Sequence, residues 1–303
     1  MIISNFNIMQ SLKFSGHETF ICKQFWLKKG YDYIMERKSF HDDSAVVELG
    51  VGRNMVTSIN FWLRSFNVID RNDQPTEFAD FIFGENGKDQ YIEDIATVWL
   101  FHYFLVKTNH ASIYNLFFNQ FRKERQDFTK EQLHSFLKRK CDDINLRLYN
   151  TSTITHDINV LLRSYLRPDP TEDKSDFEDN YSGLLIELSL LSRYRTRNFD
   201  DSSTINWYKV ESTYRYDLPY QIVLFSILDN FVDQKSISFK QLEVGPNSPG
   251  LVFALSPDAI YLKIEEIVEH NKKITFSNNA GVQELQFKSL PDKWKVLEDY
   301  YGR

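Results

Sequence analysis

The sequence has few cysteines and no long apolar segment, and both shortages restrict the class of protein. Its two cysteines, Cys22 and Cys141, stand far apart in segments with helical apolar spacing. They form no disulfide framework and no pair with zinc-binding spacing, and they fit a reducing compartment. No apolar run approaches the length that spans a bilayer, and the first ten residues, MIISNFNIMQ, lack the features of a secretory signal. We therefore expect a soluble, cytoplasmic protein.

The motifs that mark common enzyme classes are also missing. The chain contains no glycine-rich phosphate loop, no dinucleotide-binding fingerprint, no zinc-finger spacing and no G-x-S-x-G nucleophile motif. These absences argue against nucleotide hydrolysis and acyl transfer. The D…E-x-K and H-N-H spacings of metal-dependent nucleases are absent as well. Residue spacing alone therefore gives no support to DNA cleavage.

Charge is distributed unevenly along the chain. The formal net charge of -6 argues against a hold on nucleic acid by the whole surface, but a local basic patch can still bind phosphates. Arg122 to Arg147 is rich in arginine and lysine, whereas Asp169 to Asp179 is strongly acidic and is interpreted as a flexible connector. The run Lys138, Arg139 and Lys140 is the best candidate for phosphate contact, although such a stripe is usually only a solvated helix face.

The segment from Ser44 to Ile69 predicts a helix-turn-helix. A short helix ends at Leu49, a turn contains Gly50 and Gly52, and a longer helix follows. The longer helix has apolar residues on one face at Met55, Val56, Ile59, Trp62, Leu63 and Phe66. Its other face carries Asn54, Thr57, Ser58, Phe61, Arg64 and Ser65. An extended piece and a polar turn complete the order of a winged helix, although two ordinary core helices would show the same spacing.

In a winged helix-turn-helix the second helix presents short polar groups and arginine to a DNA groove. The predicted groove contacts are Arg53, Asn54, Thr57, Ser58 and Arg64. The basic stretch that includes Lys138, Arg139 and Lys140 would then hold phosphates.

Two further helices are predicted with specific features. Asp89 to Val106 reads as a long buried helix on which Glu93, Asp94 and His102 lie. The acids and the histidine are more than two turns apart, which favours a hydrogen-bonded core histidine over a metal ligand. Farther along, Thr129 and Gln132 predict a capping box at the start of another helix.

The second half of the chain is predicted to contain a β-hairpin and then, again, the order of elements of a winged helix. Arg193 to Tyr216 predicts a β-hairpin. Its Tyr194, Arg195, Arg197, Trp207, Lys209 and Arg215 suit either nucleic-acid contact or a packed sheet. A predicted helix pair, Ser236 to Glu243 and Pro257 to His270, precedes two short strands, Lys273 to Phe276 and Val282 to Phe287.

The predicted fold class is mainly α with small β wings, arranged as two winged-helix-like domains with additional helices. The predicted boundaries are an N-terminal helical domain over residues 1–167, an acidic linker over 168–180 and a C-terminal α+β domain over 181–303.

The run FSGHETF, from Phe14 to Phe20, places an imidazole, a carboxylate and two hydroxyls next to a glycine. One interpretation is a structured turn, in which His17 makes local hydrogen bonds and Ser15 or Thr19 caps a helix. The alternative is a functional site, in which His17 shuttles a proton or binds a metal and Glu18 acts as a ligand or base.

Several motifs together resemble a known family. In chain order they are FSGHETF, LGVGRNM, DQYIEDIATVWLFHYFL, LRSYL and SPGLVFAL, which extend over most of the chain. This combination is similar to the bacterial SspB-like family of unknown-function domains, which is associated with DNA phosphorothioation and with PAPS-reductase-like sulfurtransferases in phage-defence operons. The family motif positions here are Ser15, Gly16, His17, Glu18, Thr19, Gly50, Gly52, Arg53, Asn54 and Met55. Ile21-Cys22 departs from the proline or leucine that the family often has there.

The resemblance implies a DNA-binding component of a phosphorothioation and anti-phage defence system, with a proposed metal-dependent DNA-nicking endonuclease activity. Such a nuclease would use Mg²⁺ or Mn²⁺. His17 and Glu18, with a carboxylate brought close by folding, are then the predicted catalytic residues. The alternative is a non-catalytic winged-helix adaptor that binds DNA or a sulfurtransferase-like partner. A transcription regulator is less favoured, because no heptad run for a dimerising helix is present.

Overall fold

The computed structural model describes residues 12–143, 150–168, 182–197, 203–279 and 281–302. The first half is helical apart from one short strand. Its elements are α1 (Trp26–Met35), α2 (Ala45–Glu48), α3 (Arg53–Ser65), α4 (Glu77–Phe83), α5 (Ile95–Thr108), α6 (Ser112–Leu116), a π-helical turn (Phe117–Phe121), α7 (Arg122–Glu124), β1 (Asp127–Phe128), α8 (Lys130–Asp143) and α9 (Thr151–Tyr165).

The second half mixes helices and strands. Its elements are a 3₁₀ turn (Ile186–Leu188), β2 (Ser192–Arg197), β3 (Thr204–Lys209), α10 (Tyr220–Asn230), β4 (Ser236–Ser238), α11 (Phe239–Val244), α12 (Pro249–Val252), α13 (Pro257–His270), β5 (Ile274–Asn279), β6 (Val282–Phe287) and α14 (Lys293–Tyr301). The mainly helical class with small β elements is thus confirmed.

Two small antiparallel sheets hold the strands together. The first has the order β1-β3-β2, and the second has the order β4-β6-β5. In the first sheet Tyr208 of β3 lies opposite both Phe128 of β1 and Arg193 of β2. The predicted hairpin is therefore present, but its second strand ends at Lys209, so the prediction is wrong in extending it to Tyr216 and in placing Arg215 on it. A strand from the first half of the chain extends the sheet.

Helix α5 lies at the centre of the core. Its residues from Ala96 to Val106 are all buried, and the helix packs against α3, α10 and α12. The predicted start at Asp89 is wrong, because the helix begins at Ile95. The Asp94 side chain accepts a hydrogen bond from the backbone N–H of Ala96 and so caps the helix. His102 is a buried core histidine, as predicted.

The predicted helix-turn-helix has the expected helices but a different exposed surface. Helices α2 and α3 flank the glycine turn, in which Gly50 has a left-handed φ of +61°. Ser58, Phe61 and Ser65, all expected on the polar face, are buried. The residues around His17 cover that side of α3: Ser58 donates to the His17 carbonyl at 3.0 Å. The segment after α3 returns through a single bridge between Ile69 and Pro75 and forms no sheet there.

The end of the second half follows its prediction closely, with two corrections. The strand predicted over Lys273 to Phe276 is β5, which runs from Ile274 to Asn279. Pro257–His270 is helical, and Ser256 accepts a hydrogen bond from the Ala259 N–H as its cap. The predicted helix from Ser236 is wrong in its first residues, since Ser236–Ser238 pairs with β6 as a strand. Ser238 and Gln241 then form a reciprocal capping box that starts α11.

One cluster of buried apolar side chains extends from Ile21 to Leu297, so the two halves share a core. The division into two domains stays a prediction. Apart from Pro168, the acidic linker lies outside the described residues. Across the described ranges, none of the helices has both the length and the apolar character that crossing a bilayer requires.

The buried histidine predicts how stability depends on pH. His102 Nε2 lies 2.7 Å from the Val252 carbonyl, to which it donates, and Nδ1 lies 2.9 Å from the Tyr165 hydroxyl, from which the neutral ring accepts. Burial, together with the charges of Arg122 and Arg215, lowers the pKa of His102 from 6.5 to about 3. The unfolded chain therefore takes up this proton below pH 6.5 while the folded protein does not, and stability falls as pH decreases toward 3.

We expect the free energy of unfolding to drop by roughly 2 kcal/mol between pH 7 and pH 5 from His102 alone. Urea titrations at several pH values measure this change. His110, whose pKa burial lowers to about 4, acts in the same direction. His102→Gln, whose amide can serve both partners without titrating, is the control and should show a shallower pH dependence. An unchanged slope would contradict the assignment.

Candidate nucleic-acid interface

The FSGHETF run is a loop with an unusual backbone. Ser15, Gly16, Glu18 and Thr19 all have left-handed φ values between +47° and +102°, and only glycine adopts such values without steric cost. A Cβ at Gly16 would also lie 2.6 Å from the Phe61 ring. The surrounding structure therefore imposes this conformation on the loop.

His17 is the buried centre of this loop. Its Nδ1 accepts a hydrogen bond from the Thr19 backbone N–H at 3.1 Å. Its Nε2 lies 3.0 Å from the Asp157 carboxylate, to which it donates. The ring stacks on Trp62 with centroids 6.0 Å apart. Both ring nitrogens are thus occupied, and the geometry favours the first interpretation, a structured turn in which His17 holds the loop. The predicted cap is wrong, because α1 begins at Trp26 with Phe25 at its N-cap and no side-chain cap.

Asp157 lies on α9, 140 positions after His17. Its two oxygens also accept the Ser15 N–H at 3.0 and 3.2 Å, and its side chain is buried. A carboxylate next to His17 was expected from folding, and Asp157 is in that position. The side chain of Glu18, by contrast, is exposed. The roles of His17 and Glu18 in catalysis stay predictions.

The surroundings of His17 do not fit a magnesium ion. Mg²⁺ binds through oxygen ligands in near-octahedral geometry and keeps several waters. The oxygens of Asp157 already accept hydrogen bonds from Ser15 and His17 in a buried place. Within the described ranges, no three His, Cys, Asp or Glu side chains are grouped as a metal site. The loop around His17 therefore does not have the ligand set of a magnesium site.

The predicted groove contacts on α3 lie in three different environments. Arg53, Asn54 and Thr57 are exposed near the start of the helix, where Arg53 pairs with Asp43 at 2.7 Å. Arg64 is half-buried near the other end and pairs with Asp73. The fifth residue, Ser58, is fully buried. Only the first three share an exposed surface.

The predicted phosphate contacts lie on α8. Lys138 and Arg139 are exposed and Lys140 is half-buried. Arg139 pairs with Glu124 at 2.9 Å, and both Arg139 and Lys140 lie over the Phe136 ring. These contacts hold two of the three cations close to the helix surface. Lys138, Arg139 and Lys140 are not among the residues that line the two clefts described next.

Two adjoining clefts that were not predicted contain a denser set of cations. The α9 cleft has a volume of about 430 Å³ and is lined by Thr19, Lys130, His156, Asn159, Leu162, Arg163, Leu166, Arg193 and Tyr208. The hairpin cleft has about 580 Å³ and is lined by Tyr165, Leu166, Arg167, Ile186, Ser189, Leu191, Ser192, Arg193, Tyr194 and Arg195. They share Leu166 and Arg193. As far as the structure describes the chain, no carboxylate lines either cleft.

Strand β2 carries a row of three arginines, of which Arg193 and Arg195 line the clefts. Arg193, Arg195 and Arg197 alternate with Tyr194 and Thr196, so the three guanidinium groups start from one face of the sheet about 6.6 Å apart. Arg195 donates to Asn206 on β3 at 3.3 Å, and Arg195 and Arg197 are exposed. This spacing resembles that of successive phosphates along a nucleic-acid strand.

Arg163 connects the clefts to the histidine loop. It lines the α9 cleft, and its guanidinium donates to the Thr19 carbonyl. Asp157, six residues earlier on the same helix, holds the start of that loop. Helix α9 therefore positions the loop through one face and lines the basic cleft with another. The alternating arginines of the hairpin were visible in the sequence, but their neighbours on α9 were not.

Fold and surface together define a mainly helical protein with two small sheets and a basic double cleft. Residues 14–301 match the sequence profile of a family described as "Protein of unknown function (DUF4007)". The match spans nearly the whole chain. The chain therefore belongs to the DUF4007 family.

Solved structures agree with the resemblance found in the sequence. The chain is similar to a magnesium ion-bound SspB crystal structure, with 25% sequence identity, a TM-score of 0.81, and coverage of 96% of this chain and 88% of that chain. A second SspB crystal structure has the same identity and coverage, with a TM-score of 0.80. No curated protein matches the sequence. The SspB-like family assignment is thus confirmed.

Proposed function

We propose that this protein is a DNA-binding component of a bacterial phosphorothioation and anti-phage defence system. The observation that carries the DNA-binding part is the pair of adjoining clefts, lined by Lys130, Arg163, Arg167, Arg193 and Arg195 and, within the described chain, by no carboxylate. In a chain with a net charge of -6, these cations are a local concentration of groups that suit phosphate. The place in a phosphorothioation system is supported by the similarity to SspB.

Phosphate contact accounts for the residue types in the clefts. Arginine binds phosphate oxygens through two parallel N–H groups, and lysine adds a point charge. Asn159 and Ser192 offer neutral polar groups in the same surface. Such contacts position a protein on DNA without reading its sequence. We therefore propose backbone binding in the clefts and no base-specific contact there.

The proposal includes a winged-helix arrangement of the second half of the chain. In this proposal the winged helix does not contact the DNA. Apart from the short helix α12, the order β4, α11, α13, β5 and β6 is that of a winged helix, in which α13 would be the recognition helix. Its exposed side carries Glu265 and Glu269, whose charges oppose phosphate. Among the proposed surfaces, the clefts are therefore favoured over α13.

DNA nicking with Mg²⁺ or Mn²⁺ is the second candidate function, and the similarity to a magnesium ion-bound SspB favours it. The predicted roles of His17 and Glu18 belong to this candidate. The non-catalytic adaptor is the remaining alternative, in which the protein holds DNA for a sulfurtransferase-like partner. The nicking enzyme and the adaptor would bind DNA through the same surface and differ only in cleavage. An assay that records both binding and cleavage therefore separates these two candidates.

The test is a titration of supercoiled plasmid with purified protein, with Mg²⁺, with Mn²⁺ or with EDTA. We expect a mobility shift that weakens steeply with salt, because phosphate contacts release counterions. Metal-dependent open circles would assign nicking, and a shift without open circles would assign the adaptor role. His17→Ala, checked for folding by circular dichroism, tests the predicted catalytic loop. Absence of any shift at low salt would contradict DNA binding.

A further inference from the structure

The first sheet has two chemically different faces at its outer strand. On one face β2 presents Arg193, Arg195 and Arg197. On the other it presents Tyr194, which lies directly opposite Trp207 of β3. Since β2 is at the end of the strand order β1-β3-β2, its outer edge joins the two faces. A ligand that passes over this edge can contact cations and aromatic rings together.

The aromatic pair is held in a fixed orientation. The rings of Tyr194 and Trp207 are parallel within 9°, with centroids 6.3 Å apart, which is an offset stacking geometry. The Tyr194 hydroxyl donates to Asp127 at 3.1 Å, and Trp207 Nε1 donates to the Thr196 hydroxyl at 3.0 Å. Hydrogen bonds at the polar ends thus orient both rings.

This pair remains accessible despite its hydrogen bonds. Tyr194 is 41% exposed, Trp207 is half-buried, and Tyr194 also lines the hairpin cleft beside Arg193 and Arg195. Large aromatic side chains normally stabilise a protein by burial. Here two are oriented by hydrogen bonds yet keep ring surface in contact with solvent, next to cations that suit phosphate.

We propose that the hairpin binds an unpaired stretch of DNA, with phosphates at Arg193 and Arg195 and a base stacked on the Tyr194–Trp207 pair. The inference rests on the proposed function and names the form of DNA that this surface takes. In a duplex the bases are stacked on one another and cannot lie flat on protein rings. In an unpaired strand each base has a free face, and aromatic stacking with a basic groove is the common mode of binding such strands.

The test compares fluorescence-anisotropy affinities for a fluorescein-labelled unpaired oligonucleotide and for the duplex of the same sequence. We expect Tyr194→Ala to weaken binding of the unpaired strand about tenfold, with the duplex affected less than twofold. Tyr194→Phe keeps the ring and should retain most of the affinity. Tyr216→Ala is the matched control, because Tyr216 is also an exposed, stacked tyrosine, with 87% exposure, outside both clefts.

The double variant Arg193→Glu/Arg195→Glu separates this inference from the proposed function. Suppose that the double variant weakens binding of both DNA forms. If Tyr194→Ala then leaves both affinities unchanged, or lowers both by the same factor, the stacking inference is overturned while the basic DNA-binding surface is retained. If the double variant changes neither, the proposed DNA surface itself is wrong. A selective loss with Tyr194→Ala that Tyr194→Phe does not share supports stacking by the ring.

Discussion

Replacing Asp157 with alanine is expected to lower the free energy of unfolding by about 2 to 4 kcal/mol. The buried carboxylate accepts hydrogen bonds from His17 Nε2 and from the Ser15 N–H. Its removal leaves the buried His17 Nε2–H without an acceptor. It also takes the acceptor from the Ser15 N–H, so the left-handed backbone of the loop loses its support. Urea unfolding followed by circular dichroism measures the loss.

Two variants make this prediction specific. Asp43→Ala removes a fully exposed carboxylate from its pair with Arg53 and should leave stability nearly unchanged, because solvent screens this pair. Asp157→Asn keeps an oxygen acceptor and should be less damaging than alanine. If Asp157→Ala were as stable as Asp43→Ala, the loop would not depend on the buried pair.

The second large effect is expected in DNA binding. Arg193 lines both clefts and Arg195 lines the hairpin cleft, so reversing both charges removes two phosphate contacts and adds repulsion. We expect Arg193→Glu/Arg195→Glu to weaken binding of duplex DNA on the order of 100-fold at moderate salt. The slope of log affinity against log salt should fall by about 2, since each contact contributes about 0.9. Anisotropy titrations across a salt series measure both quantities.

The location of the surface is tested by matched charge reversals elsewhere. Lys240→Glu changes an exposed lysine on α11, away from the clefts, and should leave the slope almost unchanged apart from the net charge. Arg53→Glu tests the surface predicted on α3. If Arg53→Glu abolishes binding and the hairpin double variant does not, the groove prediction from the sequence is right and the cleft assignment is wrong.

Local features of the sequence were sufficient for most of the helices. The capping box of Thr129 and Gln132 forms as predicted, with the Thr129 N–H donating to the Gln132 side chain at 3.1 Å. The cap at Ser256 and the proline that follows it are also in place. These signals work because each hydrogen bond joins residues three positions apart, so the sequence contains both partners. The family resemblance was also readable from motifs in their order along the chain.

The exposed face of α3 could not be obtained in the same way. Periodicity identified the apolar side of the helix, and that side is buried. It did not show that the loop around His17 covers a second side and buries Ser58 and Phe61. Burial of polar or mixed faces depends on which distant segment packs there, and helical spacing contains no information about that segment.

The sequence by itself determined the mainly helical class, the hairpin, the family and the unusual FSGHETF run. Only the tertiary structure decided that His17 faces Asp157, and that α9 and the hairpin come together as two basic clefts. The physical reason is distance along the chain. Secondary structure follows from neighbouring residues. A buried hydrogen-bonded pair or a cleft joins residues tens of positions or more apart, and only packing of the shared core brings those residues together.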